Sequence, residues 1–146
     1  MRSLERLVGA WKTEATHPAL PGVVVHGTAE VEWLSGERFL IQRTRNDHPD
    51  FPDAISIIGY TDRDRVDQAE PSHLTMHYFD SRGVARVYEA SVSADAWHLS
   101  RISPGLSQRF TGRFQDAGNT IEGLWQMCEG DEKTWKDDLH ITFRKS

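Results

Sequence analysis

Hydrophobic and polar residues alternate in short runs along almost the whole chain after Gly9. The runs are rich in Val, Ile, Thr and aromatic residues, and clusters of Gly, Asp, Asn, Ser and Pro separate them, which is typical of an all-β protein. Helical periodicity is confined to residues 3–8, where Ser3 can cap a short helix or a 3₁₀ turn. The pattern predicts ten strands, at residues 10–16, 24–34, 38–45, 54–61, 73–79, 84–92, 97–103, 107–115, 120–129 and 135–144.

Tight turns join most of these predicted strands. Segments 34–37, 80–83, 93–95, 103–105 and 116–119 contain the Gly, Asp, Asn and Ser residues that turns use for positive φ angles or side-chain hydrogen bonds. Strands adjacent in sequence should therefore be antiparallel neighbours. Because pairing the last strand with the first removes both edges of a ten-strand meander, we predict an up-and-down β-barrel whose short N-terminal helix closes one end. A two-sheet sandwich is the alternative.

Strand alternation and turn geometry also predict which side chains point into the barrel. The predicted inward pairs are Phe79–Val84, His77–Arg86, Thr75–Tyr88, Val92–Trp97, Ala90–Leu99, Tyr88–Arg101, Trp33–Phe39, Val31–Ile41, Phe114–Ile121 and Phe110–Trp125. An apolar floor results at the helix end, formed by Trp11, Trp33, Phe39, Trp97, Leu99, Phe114, Ile121, Ile141 and Phe143.

A polar chamber is predicted above this floor, at the loop end of the barrel. Three of its side chains are arginines, and a buried cation without a partner costs several kcal/mol, so they require carboxylates, water or an anionic ligand. Asp137, placed within reach of Arg101, can neutralise one of them. The predicted ligand-binding residues are Arg43, His77, Arg86, Tyr88, Arg101, Gln108, Trp125, Trp135 and Asp137. An opposite strand phase would turn any of them into ordinary surface residues.

Few motifs point to catalysis or to a metal. His77 and Tyr88 are the candidates for a general acid or base, because an imidazole or phenol on a chamber wall can transfer a proton. His73 and His77 share a strand face but lie about 13 Å apart, too far to bind one ion together, so no metal site is predicted.

The proline-stiffened loops 17–22 and 48–52 each present one apolar residue, Leu20 or Phe51, and suit a lid over the barrel mouth.

Composition narrows the class of protein. With 146 residues, 38% of them hydrophobic and 10% aromatic, residues 1–146 are expected to form one folded domain. The net charge of -5 disfavours nucleic acid as a partner. The single cysteine, Cys128, allows no intramolecular disulfide, and no window resembles a signal peptide or a membrane span. We therefore expect a cytoplasmic monomer or homodimer.

The run Gly9-Ala10-Trp11 after the short helix resembles the Gly-x-Trp entry of the calycin barrels, which include lipocalins, fatty-acid-binding proteins and haem-binding nitrobindins. The chain is also similar, over nearly its whole length, to a bacterial family of lipocalin-like barrels that brings no established chemistry with it. The segments that carry this second resemblance are 32–34, 36–40, 77–84, 107–112 and 135–139. The resemblance implies a ligand cavity, and the interior Arg and Tyr that hold a carboxylate in fatty-acid-binding proteins suggest such a part for Tyr88 and Arg101.

Binding of a small, largely apolar molecule with an acidic or polar group is the function that these observations favour. One alternative is a cofactor-free enzyme that uses His77 or Tyr88, and another is a barrel with a vestigial cavity whose outer face meets a partner protein. A third is a haem protein like the nitrobindins, with His140 as the nearest candidate ligand. Because His140 alternates with the inward-facing Leu139 and Ile141, it should face outward, and no cofactor is predicted.

Overall fold

The computed structural model describes residues 2–61, 73–130 and 133–146, in which ten antiparallel strands close into one barrel. Each strand pairs with its neighbours in sequence, and the last pairs with the first. The predicted all-β, up-and-down barrel is therefore confirmed and the sandwich is wrong. The strands are β1 (Gly9–Thr16), β2 (Val25–Trp33), β3 (Phe39–Asn46), β4 (Ala54–Thr61), β5 (His73–Asp80), β6 (Ala85–Val92), β7 (Ala96–Arg101), β8 (Ser107–Gln115), β9 (Thr120–Cys128) and β10 (Lys136–Lys145).

A short 3₁₀ helix, Arg2–Leu7, precedes β1, which agrees with the helix or 3₁₀ turn predicted at residues 3–8. Its two leucines, Leu4 and Leu7, are buried in the barrel core. The indole Nε1 of Trp11 donates a hydrogen bond of 2.9 Å to the Leu7 carbonyl, and the indole of Trp33 donates one of 2.9 Å to the Glu5 carboxylate. These contacts hold the turn against this end of the barrel.

No helix in the described part of the chain has the length and apolar character needed to cross a membrane. The long loop predicted at 62–72 lies outside the described residues.

The core is one apolar cluster built from the inward side chains of the strands. Aromatic rings meet edge-to-face or tilted within it, with centroids 5.1 Å apart for Trp97 and Phe110 and 6.1 Å apart for Trp97 and Phe143. Of the predicted floor, Phe39 is misplaced, and Leu40, with 0% exposure, takes its position. The other members of the floor belong to the core or pack against it: Trp11, Trp33, Trp97, Leu99, Phe114, Ile121, Ile141 and Phe143.

The predicted register holds in the second half of the barrel. Val92 faces Trp97 and Ala90 faces Leu99 between β6 and β7. Phe114 faces Ile121 and Phe110 faces Trp125 between β8 and β9, again as predicted. All of these interior assignments therefore carry over to the structure: Tyr88, Ala90, Val92, Trp97, Leu99, Phe110, Phe114, Ile121 and Trp125.

Two hairpins are displaced by one residue from the predicted register. Trp33 pairs with Leu40 rather than Phe39, because Glu37 adopts a left-handed conformation (φ 55°) that adds a residue to the turn. In the β5–β6 hairpin the Asp80 amide bonds to the Val84 carbonyl. The pairs that result are Trp33–Leu40, Val31–Gln42, Phe79–Ala85, Tyr78–Arg86 and Met76–Tyr88. Since side chains alternate with a period of two, each slip reverses which face of β3 or β5 points inward.

A pair of glycines makes room for the ring of Phe110. Gly112 and Gly123 lie opposite each other on β8 and β9. A Cβ atom at Gly123 would lie 2.5 Å from the Phe110 ring, closer than real contacts allow, and 3.0 Å from the Ile141 carbonyl oxygen, which is an unusually tight contact. Glycine at this position therefore permits the close approach of an aromatic ring to the backbone.

We expect Gly123→Ala to lower the free energy of unfolding by about 1 to 3 kcal/mol, the usual cost of overpacking a core. Urea denaturation measures the change. The double variant Gly123→Ala, Phe110→Leu lacks the clashing ring. It should lose less stability than the sum of the losses of the two single variants. Strict additivity, or a Gly123→Ala loss below about 0.5 kcal/mol, would contradict the packing described.

Candidate functional site

A cavity of about 320 Å³ lies inside the barrel, at the end opposite the N-terminal turn. This volume is at the lower end of the range for ligand pockets, roughly 300 to 1,000 Å³. Its deepest wall is aromatic, formed by the side chains of Trp97, Phe110, Trp125 and Phe143. Polar side chains line the rest of the cavity and include Gln42, Ser56, Tyr78, Arg82, Arg86, Tyr88, Gln108 and Asp138. The cavity is therefore amphipathic, with an apolar floor and a polar upper wall.

Tyr88 is the centre of the polar wall. Its ring is 2% exposed and meets the Trp125 ring with centroids 5.4 Å apart, while its hydroxyl donates a hydrogen bond of 3.2 Å to Gln108 Oε1. Burial raises the pKa of the Tyr88 hydroxyl, and the adjacent Arg86 and Arg101 guanidinium groups only partly oppose that rise. Near neutral pH the group is therefore a neutral phenol that can donate a hydrogen bond.

Arg86 lies two residues before Tyr88 on β6, so the two side chains share the inward face of the strand. It is half-buried, lines the cavity and lies beside the Tyr88 hydroxyl. Within the described residues no carboxylate forms an ion pair with it. The upper wall thus presents a cation that no carboxylate in the described part of the chain neutralises.

Arg82, the other arginine at the mouth, is neutralised by Asp80. The Asp80 carboxylate accepts hydrogen bonds from Arg82 Nη2 at 2.7 Å and from the Tyr78 hydroxyl at 2.7 Å, and its side chain has no exposed surface. Burial works against the charged form, but these donors and the backbone amides of Arg82 and Val84 outweigh it and hold the pKa of Asp80 well below its ordinary value. Burial and this bond to Asp80 raise the pKa of Tyr78.

Two loops approach the mouth. Phe51 and Pro52 line the cavity, which is where loop 48–52 was expected to lie. Leu20 instead lines a separate surface pocket beside His17. The His17 ring bonds to Asp138, a cavity-lining residue of β10, at 2.5 Å, and this contact fixes the base of loop 17–22.

Of the nine residues predicted to bind a ligand, the structure brings four together around the cavity: Arg86, Tyr88, Gln108 and Trp125. They come from β6, β8 and β9, the strands whose predicted phase is correct. The other five lie elsewhere: Arg43, His77, Arg101, Trp135 and Asp137.

The inward placement of Arg43 and His77 is wrong, because both lie on strands whose register is displaced. Arg43 is exposed on the outer face and donates a hydrogen bond of 2.7 Å to Glu32. His77 lines a surface pocket on the outside of the barrel. Neither side chain can contact a molecule inside the cavity, so His77 also cannot act as an acid or base there.

A bulge in β10 overturns the placement of Asp137. The pairing passes from Asp137–Gln126 directly to His140–Leu124, so β10 carries one extra residue. Asp137 consequently points outward and accepts a hydrogen bond of 3.0 Å from Gln126, while Asp138 and Leu139 line the cavity.

Trp135 lies away from the cavity, and Arg101 is not among the residues that line it, although its positive charge acts on the Tyr88 hydroxyl. Trp135, just before β10, lies beneath Arg109 on the outer face, with 4.1 Å from the guanidinium carbon to the ring centroid. Arg101 donates a hydrogen bond of 3.4 Å to the Leu106 carbonyl and lines the outer pocket that contains His77. The expected pairing of Arg101 with Asp137 is therefore wrong.

Sequence reasoning missed Tyr78, Arg82 and Asp138 as lining residues. The signal for the first two is the Asp80-Ser81-Arg82-Gly83 turn, in which Gly83 has a positive φ of 86° and Asp80 bonds the Arg82 amide at 2.9 Å. A three-residue turn of this kind shifts the register and points Tyr78 inward. Asp138 had no comparable signal.

His140 is exposed, as predicted, and its Nε2 lies 3.3 Å from the Glu122 carboxylate on the outer face. No histidine is among the described residues that line the cavity. The cavity residues therefore do not fit a haem held by an imidazole.

Comparison with known proteins does not assign the chain to a family. No protein-family model matches the chain, and a search of curated proteins finds no match either. The closed, all-antiparallel barrel of ten strands in the described chain is consistent with a calycin-like fold. The geometry of the cavity therefore carries the functional interpretation.

Proposed function

We propose that the barrel binds a compact, largely apolar molecule with an acidic group. The apolar part lies on the aromatic floor and the acidic group lies beside Arg86 and the Tyr88 hydroxyl. One observation carries this proposal: Arg86 is a half-buried cation in the cavity wall to which no described carboxylate is paired. A charge in that position is stabilised by an anion that enters the cavity.

The distribution of charge orients such a ligand. Arg82 is already paired with Asp80, so it adds little net positive charge to the wall. Asp138, on β10, places a carboxylate that is bonded to His17 in the cavity wall, where it disfavours an acidic group. An acid is therefore directed to Arg86, where the neutral Tyr88 hydroxyl supplies a second donor when its single O–H turns from Gln108 Oε1 to the ligand. The cavity thus distinguishes an anionic from a neutral molecule of the same shape.

The size of the cavity limits the ligand. About 320 Å³ suits a bicyclic aromatic acid or a medium-chain carboxylic acid better than a long acyl chain. Edge-to-face ring contacts on the floor favour aromatic or branched apolar groups. Since His77 lies outside the cavity and burial keeps Tyr88 protonated, the same residues favour binding without turnover.

The test compares 1-naphthoate with its uncharged analogue 1-naphthamide by isothermal titration calorimetry. We expect Arg86→Gln to weaken 1-naphthoate binding by about 10- to 150-fold, which corresponds to about 1.5 to 3 kcal/mol for a hydrogen bond to a charged group. Affinity for 1-naphthamide should change by less than about threefold, because the amide makes no ion pair.

Arg43→Gln is the matched control, since it removes the same charge from the outer face of the barrel. It should leave both affinities near those of the unmodified protein. If 1-naphthoate binds no more tightly than 1-naphthamide, or if the two variants behave alike, the acid-binding role of Arg86 is wrong. Native mass spectrometry of protein purified from its own host would then identify any natural ligand directly.

A further inference from the structure

The pairing between β6 and β7 stops before the strands reach the loop end of the barrel. The last pair is Glu89–Ser100, although β6 begins at Ala85 and β7 ends at Arg101. Residues 85–88 therefore bond to β5 on one side but have no ladder partner on β7. We call this separation the β6–β7 seam.

A pocket of about 420 Å³ lies on the outer side of the β6–β7 seam. Its basic side chains are His77, Arg86 and Arg101, and its large apolar side chains are Phe79, Val87 and Ile102. Arg86 also lines the inner cavity, so one residue borders both sites. The outer pocket and the cavity thus share one residue, Arg86, at the seam.

The outer pocket is basic in an acidic protein. The chain has a net charge of -5, yet no Asp or Glu is among the described residues that line this pocket. Arg101 makes one long hydrogen bond, 3.4 Å to the Leu106 carbonyl, and pairs with no described carboxylate. Two unneutralised guanidinium groups at one opening form a local attraction for anions.

The same pocket exposes large apolar side chains. Phe79 is 45% exposed, Val87 51% and Ile102 62%. They come from β5, β6 and the residue after β7, so they surround the basic groups rather than being scattered over the barrel. Grouped exposed apolar residues with polar neighbours are a feature of binding sites. The combination fits a molecule with an acidic head and an apolar body.

We propose that the β6–β7 seam is the entrance of the cavity, with an outer site at Arg101 that receives the acidic group before it passes to Arg86. This inference rests on the proposed function, because it assumes the same class of ligand. An anion that moves from one guanidinium to the next is never left unpaired as it loses water. Phe51 and Pro52 of loop 48–52 line the cavity but not the outer pocket. A ligand that enters through the seam therefore does not have to pass this loop.

Stopped-flow fluorescence of the tryptophans with 1-naphthoate tests the route. We expect Arg101→Gln to lower the association rate constant about tenfold at low ionic strength, as for loss of electrostatic steering. The dissociation rate constant should also fall, because the ligand crosses the same barrier when it leaves. Arg101→Lys keeps the charge and should retain most of the rate, and Arg43→Gln should show no effect. Unchanged association with faster dissociation in Arg101→Gln would overturn the entrance.

Nuclear magnetic resonance separates this inference from the proposed function. We expect 1-naphthoate to shift the backbone amides of Val87 and Ile102 as well as the Trp125 indole N–H, and 1-naphthamide to shift only the indole. Arg101→Gln should abolish the outer shifts caused by 1-naphthoate. A response of Trp125 alone would overturn the entrance and leave cavity binding in place. Shifts at Val87 and Ile102 without Trp125 would support the outer site and overturn cavity binding, and no shift anywhere would overturn both.

Discussion

Replacing Trp11 by alanine is expected to lower the free energy of unfolding by about 3 to 5 kcal/mol, the range for removing a large aromatic side chain from a core. Trp11 is 2% exposed and packs edge-to-face against Phe143 with centroids 6.3 Å apart. Its indole also bonds to the Leu7 carbonyl. The change therefore opens a cavity and releases the 3₁₀ helix that covers this end of the barrel. Urea denaturation at neutral pH gives the value.

Trp135→Ala is the matched control for Trp11→Ala, because it removes the same side chain from outside the barrel. Trp135 is only partly buried, and its main contact is the guanidinium of Arg109. An exposed cation–π contact contributes about 0.5 to 1 kcal/mol, so the loss should not exceed about 1 kcal/mol. Equal losses for the two variants would show that the inside and outside of this barrel are wrongly assigned.

The topology of the barrel follows from its turns. Segments such as 116–119 and 93–95 are too short to let the chain do anything but reverse, so adjacent strands must be antiparallel neighbours. Closure follows because an open meander of this length would leave two edges exposed. Neither step requires knowing which way a side chain points, and both are confirmed.

Side-chain direction is harder to predict, since one extra turn residue reverses a whole strand. The β6–β7 hairpin has the predicted register, which places Tyr88 on the inside. The β2–β3 hairpin does not, because Glu37 adopts a left-handed φ that a residue with a side chain adopts at a cost. Nothing in the local sequence distinguishes this turn from one that is a residue shorter, so Arg43 was placed inside.

Strand register also decides where several of the predicted site residues lie. Four of the predicted residues line the cavity because their strands have the predicted phase: Arg86, Tyr88, Gln108 and Trp125. Asp137 was exchanged with Asp138 by the bulge in β10, which neither glycine nor proline marks in the sequence. Strand alternation therefore predicts an amphipathic interior, and the identity of its charged members depends on single-residue details of the backbone.

Asp80→Ala is expected to lower the free energy of unfolding by about 2 to 4 kcal/mol, because it leaves several donors without their acceptor. Asp80 accepts hydrogen bonds from the Tyr78 hydroxyl and from Arg82 Nε, Nη2 and backbone N. Arg82 can turn to solvent, whereas Tyr78 is half-buried and loses its partner. Tyr78→Phe, which removes one donor and keeps the carboxylate in place, should cost about 1 kcal/mol.

The pH dependence of stability identifies Asp80 more specifically than the size of the loss. Burial favours the protonated acid, but the hydrogen bonds from Arg82, from Tyr78 and from the backbone prevail, so the folded pKa of Asp80 lies below the ordinary aspartate value of 3.8. A group whose pKa is lowered by folding stabilises the protein above its unfolded pKa, and that stabilisation is lost as the pH falls through the folded pKa. Below about pH 4 the wild-type protein should therefore lose stability more steeply than Asp80→Asn, which has no charge to lose at this position. Urea midpoints measured between pH 6 and pH 2 test this, and parallel curves for the two proteins would show that the Asp80 charge does not stabilise the hairpin.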